Sequence, residues 1–402
     1  MTANRSVFIY LEGSYDRVSS LIELAQSYHY QCFTHDNNYK KHCETKGVKC
    51  NLVLRGRHLK KELTKLNPSV IILRNDSYYG ENFWMAKQYK TVVIEEGFEA
   101  RQIEEMQNLT NILYENSSFL KKISLPLFKI LSLAPVHPKL KSFTPYNIIS
   151  RSIFKTIFDR FYFGMKNRSM FPGIFSNKYC VSHEQNKEVY NFFGIDENKM
   201  EVTGLPMFDT IPTLIHKWND RGKVIQHDLL YIGQPWSQSG VENFYDLLFP
   251  KLISLAKNYS LCVKLHPRES MQDYKYLEDY PYIKIIPHSP SFSLEDNLKL
   301  ILESKYIIGT VSSLISFSIL LDKPVIIYNF LFPDTKTQYE MLGLKFCTTS
   351  FDGLLRAIQD CEEKNERYYE QMNAQQEIKN MVVIDGKACE RINKVIESVK
   401  SL

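Results

Sequence analysis

Short, unbroken apolar runs bounded by turn residues recur along this chain, with segments of helical periodicity between them. The runs cover residues 7–11, 70–73, 92–94, 179–181, 229–232, 261–265, 283–286, 306–308 and 325–328. They lack strict apolar–polar alternation. That suits parallel strands buried on both faces, where every position needs an apolar side chain. Helices between such strands favour βαβ units. The predicted fold class is therefore α/β, with two Rossmann-like, doubly wound parallel sheets.

Polarity then divides the chain. The stretch Glu201-Val202-Thr203-Gly204-Leu205-Pro206 closes one set of runs, and a polar segment over 217–228 precedes the next. A hinge is expected over 206–226. The domains expected are 1–215 and 216–380, with a charged helix over 381–402 that is free to cross back onto the first domain. One region departs from the pattern. Residues 121–168 hold ten Lys/Arg against the single acid Asp159, with apolar residues interleaved. A basic helical insertion over about 119–170 follows from this. Such a segment suits an anionic lipid surface or an anionic polymer, or else is a helix with solvated lysines. Lys121, Lys122, Arg151, Lys155 and Arg160 are its candidate contacts to an anionic acceptor.

Composition changes the picture little. The 402 residues are 44% hydrophobic and 24% charged, ordinary for a globular protein. A formal net charge of +5 does not call for nucleic acid. None of the eight cysteines shows C-x-x-C spacing, so zinc and dithiol redox chemistry are not expected. No secretory leader and no run of membrane-spanning length is visible, which suggests a cytoplasmic protein.

Candidate chemistry lies at the ends of the predicted strands, where open α/β sheets bind ligands. One strand ends in Val263-Lys264-Leu265-His266-Pro267-Arg268. Pro267 stops the strand, and His266 beside two cations can donate to a phosphate oxygen. Another runs through Gly309-Thr310-Val311-Ser312-Ser313 into a helix. Gly309 permits close approach, and Ser312 or Ser313 is suited to cap a helix N-terminus, which is an anion site. Plain capping is the alternative. Gln234, after the run at 229–232, and His288, after the run at 283–286, are further strand-end candidates, or simple turns. In the first domain, residues 92–94 run into Glu95-Glu96-Gly97. Adjacent carboxylates repel, which raises one towards the range of a general base; a solvated acidic turn is the alternative. No Asp-x-Asp pair suited to a metal–diphosphate complex is present, so no metal is expected.

At these residues the sequence resembles bacterial sialyltransferases, above all the capsule polysialyltransferases. Their acidic motif falls on Glu95-Glu96-Gly97, with Glu95 in place of the usual Asp. Their Lys-Leu-His-Pro motif falls on Lys264-Leu265-His266-Pro267, and their Ser-Ser motif on Ser312-Ser313. The resemblance implies a GT-B fold, two Rossmann-like domains facing a cleft, and an inverting, metal-independent transfer of sialic acid from CMP-sialic acid to a surface glycan. It implies Glu96, with Glu95 beside it, as the base. It implies His266 at the departing phosphate, and Ser312 and Ser313 on phosphate or sugar carboxylate. No cofactor beyond the donor is implied. A capsule assembly complex or the inner membrane surface would be the partner.

Three further stretches resemble the CDP-glycerol glycerophosphotransferases of teichoic acid and capsule synthesis. They are residues 202–209, 322–328 and 385–392. That group usually shows Asp-Tyr-Ser-Ser and a first-domain His where this chain has Gly309-Thr310-Val311-Ser312-Ser313 and a Glu. The main expectation is sialyl transfer; glycerophosphotransfer, or transfer of another CMP-activated acid such as Kdo, is the alternative.

Overall fold

A computed structural model describes residues 6–12, 15–53, 57–74, 80–95, 175–192, 195–220, 222, 224–236, 241, 243–288, 293–310, 312–334 and 336–402. The chain forms two compact units. One is Met1–Asp209 with Val383–Leu402, and the other is Thr210–Val382. Both are parallel α/β layers of Rossmann type, as the unbroken runs predict.

In the first unit the strands are β1 (Val7–Tyr10), β2 (Gln31–Thr34), β3 (Cys50–Leu52), β4 (Val70–Leu73), β5 (Thr91–Ile94), β6 (Lys178–Val181) and β7 (Met200–Val202). They form one sheet in the order β3-β2-β1-β4-β5-β6-β7, with every pair parallel. The helices are α1 (Tyr15–Ser27), α2 (Asn37–Thr45), α3 (Arg57–Leu66), α4 (Gly80–Gln88) and α5 (Glu184–Phe192). Successive strand residues feed opposite faces. Val7, Ile9, Val70, Ile72, Val92 and Ile94 pack with α1 residues Val18, Leu21 and Ile22. Phe8, Tyr10, Ile71, Leu73 and Val93 pack on the other side with Leu59, Leu63 and Met85.

The C-terminal helix (Ala388–Ser401) belongs to the first face. Ile392, Ile396 and Val399 recur at helical spacing and are fully buried there. Each contributes about 1.5–3 kcal/mol of apolar burial. The start of this helix is pinned by Asp209, whose carboxylate accepts from the Ala388 and Cys389 N–H groups at 2.8 Å each.

The second unit contains β8 (His227–Ile232), β9 (Leu261–Lys264), β10 (Ile283–Ile286), β11 (Ser304–Gly309), β12 (Val325–Tyr328) and β13 (Cys347–Thr348), in the order β10-β9-β8-β11-β12-β13. Its helices are α6 (Thr210–Asp220), α7 (Phe244–Ala256), α8 (Leu294–Leu302), α9 (Ser313–Leu320), α10 (Gln338–Met341), α11 (Phe351–Glu363) and α12 (Glu366–Met381). α12 is stitched to the sheet by two buried glutamines. Gln371 accepts from the Lys345 and Phe346 N–H groups, and Gln375 accepts from the Val325 N–H.

Both sheets therefore share one plan. The first strand sits mid-sheet, the next two go to one side, and the following ones go to the other. The switch point falls between β1 and β4 in one unit and between β8 and β11 in the other, where such sheets leave a crevice at the carboxyl ends of their strands. Among the described residues, no helix is long and apolar enough to cross a membrane. Lys121, Lys122, Arg151, Lys155 and Arg160, with the rest of the basic insertion, lie outside the described residues, as does Glu96.

Candidate functional site

The carboxyl edge of the second sheet gathers every candidate that sequence placed in this half. Strand register does the gathering. Lys264 pairs with Ile286, so His266 and His288, each two residues further on, emerge at one level from neighbouring strands. On the other side of β9, Gly233 donates its N–H to Lys264 O at 2.8 Å, which sets Gln234 beside the His266 turn. β11 adjoins β8 through pairs such as Ile308–Tyr231, and so brings Gly309 to the same edge.

His266 is half-buried, and its tautomer can be read from its neighbours. The Arg268 backbone N–H donates to His266 Nδ1 at 3.1 Å. Nδ1 is thus an acceptor, and the proton of the neutral ring is on Nε2. Burial, then the charges of Arg268, His288 and Lys264, push the imidazole down to about 4. At neutral pH His266 is an uncharged ring with one N–H to donate. His288 is pushed down too, by burial and then by Lys264. Lys264 is itself buried and donates to Leu265 O at 3.2 Å. Pro267 and Arg268 are exposed. The edge is thus cationic and rich in donors, which fits an anion.

The second half of the edge is the start of α9. Ser312 caps it, accepting from the Leu314 N–H at 3.3 Å. Ser313, on the first turn, is exposed. Gly309 has a packing reason: a Cβ there would lie 2.8 Å from Ile315 Cδ1 on α9. The glycine lets the helix start close against the strand end.

Two side chains that brace this edge carry no clear mark in the sequence. Tyr339 is fully buried and donates to Ser312 O at 3.0 Å, which fixes the cap from below. Glu269 is buried and accepts from the His266 N–H at 2.8 Å and from the Tyr274 hydroxyl at 2.7 Å. The only sequence signal for Glu269 was an acid three residues after the His, in a stretch that also reads as a plain turn.

In the first unit Glu95 does not have the freedom expected of a base. It is 9% exposed. Its carboxylate accepts from the Ser182 N–H at 2.7 Å, Asn186 Nδ2 at 2.6 Å and the Tyr190 hydroxyl at 2.8 Å. Ser182 and Asn186 belong to the turn and first residues of α5, so the carboxylate acts as an anchor for that helix start. Three donors within the fold therefore occupy its oxygens. His183 beside it is fully buried, and burial alone pushes its imidazole down to about 4. Among the described residues, no group of three or more His, Cys, Asp or Glu is placed to hold a metal ion.

No protein family and no curated protein matches this chain. Solved structures do. A UDP-GlcNAc 2-epimerase from Neisseria meningitidis bound to UDP-GlcNAc aligns at TM-score 0.58 and 13% identity, covering 98% of this chain and 100% of that one. The wall teichoic acid polymerase TagF aligns at TM-score 0.59 and 12% identity, covering 98% and 89%. The UDP-GlcNAc 2-epimerase of Methanocaldococcus jannaschii in complex with UDP-GlcNAc and UDP aligns at TM-score 0.56 and 14% identity, covering 98% and 99%. The fold is GT-B-like. These neighbours are epimerases and a teichoic acid polymerase, not the sialyltransferases that the short motifs resemble.

Proposed function

We propose that this chain is a transferase that uses a pyrimidine-nucleotide donor, cytidine being the base, to build a bacterial surface polymer. The observation that carries this reading is the second-unit edge: His266 with its Nε2–H, flanked by Lys264, His288 and Arg268, shares one sheet edge with the Ser312-capped helix start. Donors already fixed in place stabilise a departing phosphate without reorganisation, which is the main demand when a nucleotide leaves. Neutral His266 can donate its Nε2–H as a hydrogen bond to that phosphate while keeping the proton.

Glycerophosphotransfer from CDP-glycerol is the reading we favour. TagF is a neighbour of matching fold, and its structures include soaks with CDPG. The epimerase neighbours also carry pyrimidine diphosphates. Glu95, one of the two carboxylates of the acidic motif, is occupied by α5 and its turn, which lends the sialyl reading less support. Sialyl transfer from CMP-sialic acid remains the second reading, favoured by the position of Glu96 immediately after the anchored Glu95. The acceptor would then be an anionic glycan met by the basic residues of 121–168.

The two readings separate in one assay. Purified protein is incubated with CDP-glycerol or CMP-sialic acid and an acceptor polymer. We expect CMP release from CDP-glycerol, with glycerol phosphate appearing in the polymer. Turnover of CMP-sialic acid alone would establish the second reading, and turnover of neither would remove both.

A further inference from the structure

The turn after β9 is closed more tightly than a strand-ending Pro requires. Glu269 N–H donates to His266 O at 2.9 Å, while the Glu269 carboxylate accepts from His266 N–H at 2.8 Å. One residue thus grips both sides of the His266 peptide backbone. The other carboxylate oxygen accepts from Tyr274, a fully buried phenol on the 3-10 segment Met271–Asp279. A third element closes on the same group: a Cβ on Gly233, after β8, would lie 2.5 Å from Glu269 Oε2. Two connections of the edge, that after β9 and that after β8, therefore converge on one buried carboxylate.

Burying a carboxylate costs free energy unless donors compensate it. Burial indeed pushes this one up from the usual carboxylate range, with the His266 N–H and Tyr274 pulling it back. A negative charge beside an anion site also opposes the ligand. Two unfavourable terms at one position call for a compensating role. Holding the His266 backbone fixes where Nδ1 lies against the Arg268 N–H, and so which ring nitrogen faces outward with a proton.

We propose that Glu269 is a positioning residue for phosphate recognition: its carboxylate, wedged against Gly233, locks the His266 turn so that the ring presents Nε2–H to an anionic ligand. This rests on the reading of the edge as a nucleotide-phosphate site, yet its first consequence needs no ligand.

Histidine-selective NMR of the full chain, with the His266 signal assigned by its loss in His266→Gln, reports the tautomer directly. The wild type should show one Nε2–H tautomer. Glu269→Ala should mix tautomers and move the His266 titration, and should weaken CMP and CDP binding about tenfold, as expected for loss of a hydrogen bond to a charged group. Glu269→Gln keeps an acceptor for His266 N–H and reverses the Tyr274 bond, its amide donating to the phenol oxygen, so it should restore the tautomer and bring binding to within about threefold of wild type. Gly233→Ala should reproduce the Glu269→Ala signature by displacing the carboxylate, and carries the test if Glu269→Ala fails to fold. An unchanged His266 tautomer and titration in a folded Glu269→Ala or Gly233→Ala protein would overturn the proposal. Failure of the wild type to bind CMP or CDP, with the tautomer still responding, would leave the positioning role standing and remove the phosphate reading instead.

Discussion

The two sheets have the same strand order through six strands, yet they use their carboxyl edges in opposite ways. In the first unit two polar groups at that edge, Glu95 and His183, turn inward. Glu95 is occupied by Ser182, Asn186 and Tyr190, and His183 is fully buried. In the second, His266 and His288 are half-buried and Ser313 is exposed. Topology supplies two equivalent crevices. What differs is whether the strand-end groups find partners within the fold. A carboxylate with three internal donors is spent on folding. A half-buried ring with one nitrogen held as an acceptor keeps the N–H of the other.

Substitution should expose that difference most strongly at Glu95. Glu95→Ala leaves the Ser182 N–H, Asn186 and Tyr190 without their acceptor in a buried place. A buried donor left unsatisfied costs about 1–3 kcal/mol. The expected result is a large fall in the unfolding midpoint of the first unit, read by thermal melting, while stabilisation of the second unit by CMP persists. His266→Ala should do the reverse: a small change in melting and a loss of CMP stabilisation. Equal loss of nucleotide binding in both variants would break the contrast.

Acid should separate two histidines that titrate alike. His183 and His266 are both pushed from 6.5 to about 4. For His183 the unfolded chain binds the proton first. Its contribution to stability is complete above pH 6.5 and is lost as pH falls from 6.5 to 4, to a total of about 3 kcal/mol. His183→Gln should flatten that part of the melting profile, and an unchanged slope in the variant would contradict it. For His266 the bound phosphate favours the proton. Binding of CDP-glycerol, whose phosphodiesters do not titrate in this range, should tighten from pH 7 to pH 5, by up to about tenfold for each unit that the ligand raises the ring. Binding that weakens in acid would show that His266 faces no phosphate.

The sequence revealed much of this architecture, for a physical reason. Parallel strands buried on both faces leave unbroken apolar runs, and nine such runs became β1, β4, β5, β6, β8, β9, β10, β11 and β12. The strands it passed over are β2, β3, β7 and β13. β3, β7 and β13 are sheet edges with partly exposed residues, so their sequences need not be apolar. β2 is interior, but Gln31 and Thr34 interrupt its apolar character. The strand end at Lys264-Leu265-His266-Pro267 was legible, because Pro267 stops the strand. Its supports were not. Tyr339 lies 27 residues beyond Ser312, and nothing local marks a tyrosine that will bond back to a cap. Two adjacent carboxylates look alike in sequence, and only folding shows that α5 and its turn claim the first, Glu95.

The smallest predicted effect tests whether the second edge is more than a helix cap. Ser312→Ala removes the acceptor for the Leu314 N–H. A lost cap typically costs about 1 kcal/mol, and the Tyr339 bond to the Ser312 carbonyl survives because it involves the backbone. If Ser312 only caps, the loss should appear in melting with nucleotide affinity unchanged. If its hydroxyl also meets a phosphate, CDP-glycerol binding should weaken several-fold in addition. Ser313→Ala supplies the control, since Ser313 is exposed and lies one position inside the helix. We expect Ser313→Ala to leave melting within about 0.5 kcal/mol of wild type and to weaken binding. Binding that survives both substitutions would confine the anion site to the His266 side of the edge.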